Sequence, residues 1–262
     1  MPLLTSRARH ILQPLRPLTL SVGFSFIVPL RFFGSSTPGK NDIQCTRRLV
    51  RQPSPAASRE SPYPVVFLRM KGAEVQGVEE EGEWMEWSSM FSEKGYTSIE
   101  IDITIPPSPT SELDTEEISI SPLISSLSTE IRSLAIPFPP ILVARGVSTL
   151  LAQAYIEDHP SSGLVLINPM PDEDPQSRQK SKLKWPIFQY EPHFPILVMS
   201  NQASLRELSV SNRLVREHGV VPKDEKIGWF GRSGKRVEIE VMDQVDESSR
   251  IQVERWMDRQ GY

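Results

Sequence analysis

Ile141-Leu142-Val143-Ala144-Arg145-Gly146-Val147-Ser148-Thr149 decides the fold, read together with the next twenty residues: Leu150-Leu151-Ala152-Gln153-Ala154-Tyr155, then Asp158-His159-Pro160, then Gly163-Leu164-Val165-Leu166-Ile167-Asn168-Pro169. Four consecutive apolar residues ending at Ala144 read as a strand buried on both faces. Arg145 and Gly146 break the run. Ser148 and Thr149 then open a helix over 148–158, which Pro160 stops. A second buried strand follows at Gly163.

The same grammar extends in both directions. Val65-Val66-Phe67-Leu68 and Pro195-Ile196-Leu197-Val198-Met199 are further buried runs, while Ser98 to Ile103 and Val237 to Val241 alternate. The alternation at 237–241 predicts a strand near a sheet edge. Helical spacing puts Trp84, Trp87, Met90 and Phe91 on one face over 83–94, stopped by Gly95. Further helices are predicted over 121–134, 205–218 and 246–259. Strand and helix alternating in this way demand parallel pairing with right-handed crossovers. The expected fold class is therefore α/β, a three-layer, doubly wound, mostly parallel sheet without a large cap domain.

The 141–169 block, taken with the element order from Pro64 to Tyr262, resembles the α/β-hydrolase superfamily. In that family a strand runs into a sharp turn carrying Gly-x-Ser-x-Gly, with the nucleophile exposed above the sheet. The resemblance implies the fold and puts Gly146 at the serine position. One residue, Arg145, separates it from the strand, and glycine tolerates the turn's positive φ. The resemblance also implies three further stations, and none is filled. Arg69-Met70 stands where the first oxyanion motif would lie. Ser200-Asn201-Gln202-Ala203-Ser204 holds no carboxylate after the fifth strand, and Met242-Asp243-Gln244-Val245-Asp246-Glu247 holds no histidine after the last. A triad needs an imidazole to take the serine proton and a carboxylate to orient it.

The expectation is a non-catalytic α/β-hydrolase-like protein that binds a protein complex or a small anionic ligand. The alternative is an unconventional esterase-like hydrolase or acyltransferase using Ser148 as nucleophile, since Gly146-Val147-Ser148-Thr149-Leu150 nearly matches the elbow pattern. Bulky Leu150 opposes that register, and Ser148 and Thr149 also suit first-turn capping. The candidate ligand residues are Arg69, Arg145, Gly146 and Val147. Both arginines fall at the carboxyl ends of neighbouring strands, where such sheets bind ligands. The competing role for each is an ion pair, with Asp102 as one partner.

Other motifs carry less. Gly231-Arg232-Ser233-Gly234-Lys235-Arg236 is too short for a phosphate loop and precedes a strand rather than a helix. Glu79-Glu80-Glu81 with Glu83 reads as a solvated helix start. No metal or cofactor is implied. Asp172-Glu173-Asp174 and the basic residues 178–184 form a polar loop, returned to the domain by Trp185, Phe188 and Tyr190.

The first forty residues differ in kind. They hold no acid and five of the 29 basic residues, against 33 acids in the rest of the chain. An acid-free, Arg-bearing, Ser-containing start reads as a mitochondrial transit peptide over 1–40, with the matrix as destination. The rival is a secretory signal around Leu18–Leu30, a run too short to span a bilayer. Residues 41–63, with several prolines and serines, read as a flexible linker, and 64–262 as the domain. At 262 residues, 38% hydrophobic, with one cysteine and a pI near 5.7, the chain excludes a disulfide scaffold, a multispan membrane protein and a nucleic-acid binder driven by basic charge.

Overall fold

The computed structural model describes residues 44–71, 83–105, 118–172, 183–186, 188–220 and 237–262. The expected transit peptide, Glu79 to Glu81, most of the polar loop after Asp172 and the basic turn at 231–236 lie outside them.

The strands are β1 (Gln44–Arg51), β2 (Val65–Lys71), β3 (Ser98–Thr104), β4 (Ile118–Ser119), β5 (Ile141–Arg145), β6 (Gly163–Ile167), β7 (Leu183–Lys184), β8 (Ile196–Ser200), β9 (Gly219–Val220) and β10 (Val237–Val241). The helices are α1 (Glu83–Glu93), α2 (Ser121–Ser133), α3 (Ser148–Asp158), α4 (Gln202–Ser211) and α5 (Glu247–Gln260), with a π-helical turn at Leu214–His218. Eight strands form one sheet in the order β1-β3-β2-β5-β6-β8-β10-β9. All its pairings are parallel except β1 with β3. β4 and β7 make a separate parallel pair.

Alternation along the strands sorts the core into two layers. Val66, Leu68, Leu142, Ala144, Leu164, Leu166, Ile196 and Val198 pack beneath α2, α3 and α4. Val65, Phe67, Ile141, Val143, Val165, Ile167, Leu197 and Met199 face the other way, beneath Trp84, Trp87 and Phe91 of α1 and Val253, Trp256 and Met257 of α5. The central strands are buried on both faces because helices cover both, as their continuous apolar runs require. β10 lies beside the two-residue β9, near the sheet edge as expected.

Two local expectations are corrected. Within the expected linker, Gln44–Arg51 is an edge strand, paired antiparallel to β3 with a bulge between Arg47 and Leu49. Its arginines hide the apolar pattern, and one-sided pairing stabilises it. The single helix expected over 205–218 is two elements. Asn212 breaks it: the side chain is buried, with Nδ2 donating to Asp172 Oδ1 at 3.2 Å and Oδ1 accepting from the Val215 amide at 3.2 Å.

Candidate functional site

The chain leaves β2 for α1 on one face of the sheet and leaves β5 for α3 on the other. The carboxyl ends of these two adjacent strands therefore flank a crevice, the ligand position of open α/β sheets. Arg69 to Lys71 form one bank, and Arg145 to Val147 the other.

Gly146 has φ +55°, and among the described residues beyond its chain neighbours nothing lies within 4 Å of where its Cβ would stand. The turn thus presents the conformation and the open space that an exposed elbow residue needs, with no side chain in it. Ser148, two residues on, is fully buried. Its Oγ accepts from the Arg145 amide at 3.1 Å, and its one proton lies within reach of the Arg145 carbonyl at 2.7 Å and the Leu68 carbonyl at 3.2 Å. The Leu68 carbonyl also accepts from Trp84 Nε1 at 3.1 Å. Ser148 therefore ties the start of α3 to the end of β2. Its hydroxyl serves the turn rather than capping amides of the helix. Thr149 Oγ1 donates to the Gly146 carbonyl at 2.5 Å and accepts from the Met170 amide at 3.3 Å. α3 begins without a side-chain cap, with Val147 as its N-cap residue.

Arg69 is 1% exposed. It makes a two-pronged pair with Asp102, Nε to Oδ1 at 2.8 Å and Nη2 to Oδ2 at 2.5 Å, across the Arg69–Asp102 register of β2 and β3. Lys71 Nζ lies 3.4 Å from the same Oδ2. Burial pulls the Asp102 carboxyl upward, but the hydrogen bonds and charge of Arg69, with Lys71 beside it, outweigh that and hold it below its ordinary value. The ligand-binding expectation for Arg69 thus meets a guanidinium already engaged. Arg145 is half-buried at the end of β5, next to Gly146.

Across the crevice, Ser200 Oγ donates to Asn168 Oδ1 at 2.9 Å, and Asn168 sits at φ +45° at the end of β6. Asn201 caps α4 by accepting from the Ser204 amide at 2.8 Å. Beyond β10, Asp246 caps α5 in a reciprocal box with Ser249. These polar side chains at the strand ends thus hold structural bonds. Two of the histidines make aromatic contacts. His159 ends α3, roughly 16 Å along the helix axis from its start. It stacks on Tyr155 at 4.5 Å, with Nδ1 3.2 Å from the Tyr155 carbonyl. His193 meets Tyr190 edge-on at 5.6 Å. Among the described residues, no group of three or more His, Cys, Asp or Glu is placed to hold a metal, and no helix is long and apolar enough to cross a membrane.

No family model matches the chain, and no curated protein matches it in sequence. Solved structures do resemble it. An esterase from the planctomycete Thermogutta terrifontis, with propionate bound, is 9% identical over 84% of this chain and 90% of its own, at a TM-score of 0.51. Est1E from Butyrivibrio proteoclasticus is 12% identical over 83% of this chain and 94% of its own, at 0.50. Likeness at this level speaks for the fold: the chain has the α/β-hydrolase fold, with its mostly parallel sheet.

Proposed function

We propose that this chain works by binding rather than by catalysis, as a non-catalytic mitochondrial protein built on the α/β-hydrolase fold. Its partner is a protein complex or a small anionic ligand. One observation carries the reading: the elbow position is a bare glycine at φ +55°, while the nearby serine is buried in backbone hydrogen bonds. A nucleophile needs an open approach and a base within hydrogen-bond reach. Ser148 lacks the approach, and His159 and His193 are engaged elsewhere. The engagement of Arg69 with Asp102 moves weight from the anion toward the protein partner. An anion would be left the amino end of α3, where the Thr149 and Leu150 amides already donate to the Gly146 and Val147 carbonyls. The acid-free first forty residues support the mitochondrial setting.

A serine-reactive fluorophosphonate tests the reading on the folded chain. No labelling is expected. Labelling that disappears in Ser148→Ala would make Ser148 a nucleophile and the protein an esterase-like enzyme. Phosphate titration, followed by amide chemical shifts at Gly146 and Val147, tests the anion. Co-purification at fixed stoichiometry from mitochondrial lysate tests the protein complex.

A further inference from the structure

A small cavity lies against α3, where Pro171, Asp172, Trp185, Pro186 and Phe188 face Leu150, Gln153, Ala154 and Glu157 of the helix. Its volume is about 20 Å³, room for one water-sized group. Gln153 and Phe188 are buried in its wall, Glu157 and Trp185 are half-buried, and Pro186 is exposed at the rim. The wall is built rather than adventitious. Gln153 is 2% exposed, and its Nε2 has no hydrogen-bond partner among the described residues. Glu157 follows one helical turn later and is held by the Gln189 amide, which donates to Oε1 at 2.8 Å. Asp172 accepts from Asn212 Nδ2 at 3.2 Å and from the Arg213 amide at 2.6 Å.

A buried N–H without an acceptor is costly, and native interiors keep few of them. Whatever enters must bring an acceptor to Gln153. Two carboxylates in the wall repel an anion. A bare cation satisfies the carboxylates and leaves the amide unmet, and a hydrocarbon leaves both unmet. A neutral oxygen that accepts from the amide and donates to Glu157 meets every demand; a water meets them too, and a ligand hydroxyl displaces it where Trp185 and Pro186 at the rim add contacts. Half-buried Trp185, at the rim, offers an apolar face to C–H groups beside that oxygen.

We infer that this cavity is a binding site for a hydroxyl group of a neutral sugar or polyol, the rest of the ligand lying over the rim at Trp185 and Pro186. Saturation-transfer NMR on the full chain with methyl glucoside tests it, with glucuronate and glucosamine as charged controls. Transfer to methyl glucoside is expected, with little to glucuronate. Binding in Gln153→Leu should weaken about tenfold, the worth of one buried hydrogen bond. Far-UV circular dichroism checks that this variant folds, and Gln153→Met, closer in shape, replaces it if it does not. Absence of transfer to the wild-type chain would overturn the inference. So would equal transfer in the variant, stronger transfer to either charged control, or a crystal structure with Gln153 Nε2 bonded directly to Glu157.

Discussion

Replacing Ser148 by alanine separates a structural serine from a catalytic one. The substitution removes the acceptor of the Arg145 amide and the donor shared by the Arg145 and Leu68 carbonyls. The Leu68 carbonyl keeps Trp84 Nε1, so its loss is partial. The Arg145 amide loses its serine acceptor outright, and taking the acceptor from a buried donor costs about 1–3 kcal/mol. Alanine returns roughly 0.5 kcal/mol of helix propensity at the first position of α3. The net expectation is a loss of about 0.5–2.5 kcal/mol, or roughly 1–10 °C in Tm for a domain of this size. Urea denaturation measures it, with an unchanged m-value showing that the unfolded state is unaltered. A change within about 0.5 kcal/mol would refute the argument that this hydroxyl holds the turn to β2.

Asp102→Asn should cost more, about 3–5 kcal/mol, because it takes the negative charge out of the buried two-pronged pair with Arg69. The Asp102 carboxyl is held below its ordinary 3.8, so its stabilisation is in place above that pH and is lost as pH falls through the lower folded value. Acid titration of unfolding should therefore show a component below about pH 4 that is absent from Asp102→Asn. Gly146→Ser puts a hydroxyl into open space at positive φ, so about 1 kcal/mol of destabilisation is expected in thermal melts. It should gain no fluorophosphonate reactivity, since His159 and His193 hold other contacts. Asp246→Ala removes the capping box of α5 and should cost about 1 kcal/mol, read by chemical denaturation.

The six strands written as apolar or alternating runs are all present, and α3 spans the predicted 148–158. Those elements are legible because their burial is two-sided and their periodicity has no competitor. β1 is not, because an edge strand carrying three arginines is stabilised by β3, a partner about fifty residues away that no local pattern announces. The break at Asn212 depends likewise on Asp172, forty residues earlier. At the crevice, the bare glycine and its positive φ follow from the turn's register alone. For Arg69, a bond to Asp102 and a place facing the crevice are both open in the sequence, and only the pairing of β2 with β3 decides between them. The cavity at Gln153 has no sequence signal, since a glutamine on a helix is ordinary until a segment thirty residues later covers it.

The open space above Gly146 also makes this protein easy to instrument. Its one native thiol, Cys45, is half-buried, and burial, followed by the charge of Glu130, pushes that thiol up to about 12, so at neutral pH it is almost wholly the unreactive form. A cysteine placed at position 146 would stand alone as the reactive thiol, at the mouth of the crevice, with no atom of the described residues beyond its chain neighbours within 4 Å of its Cβ. A fluorophore or spin label attached there would report directly on any molecule that comes to rest against the end of the sheet, whatever its identity.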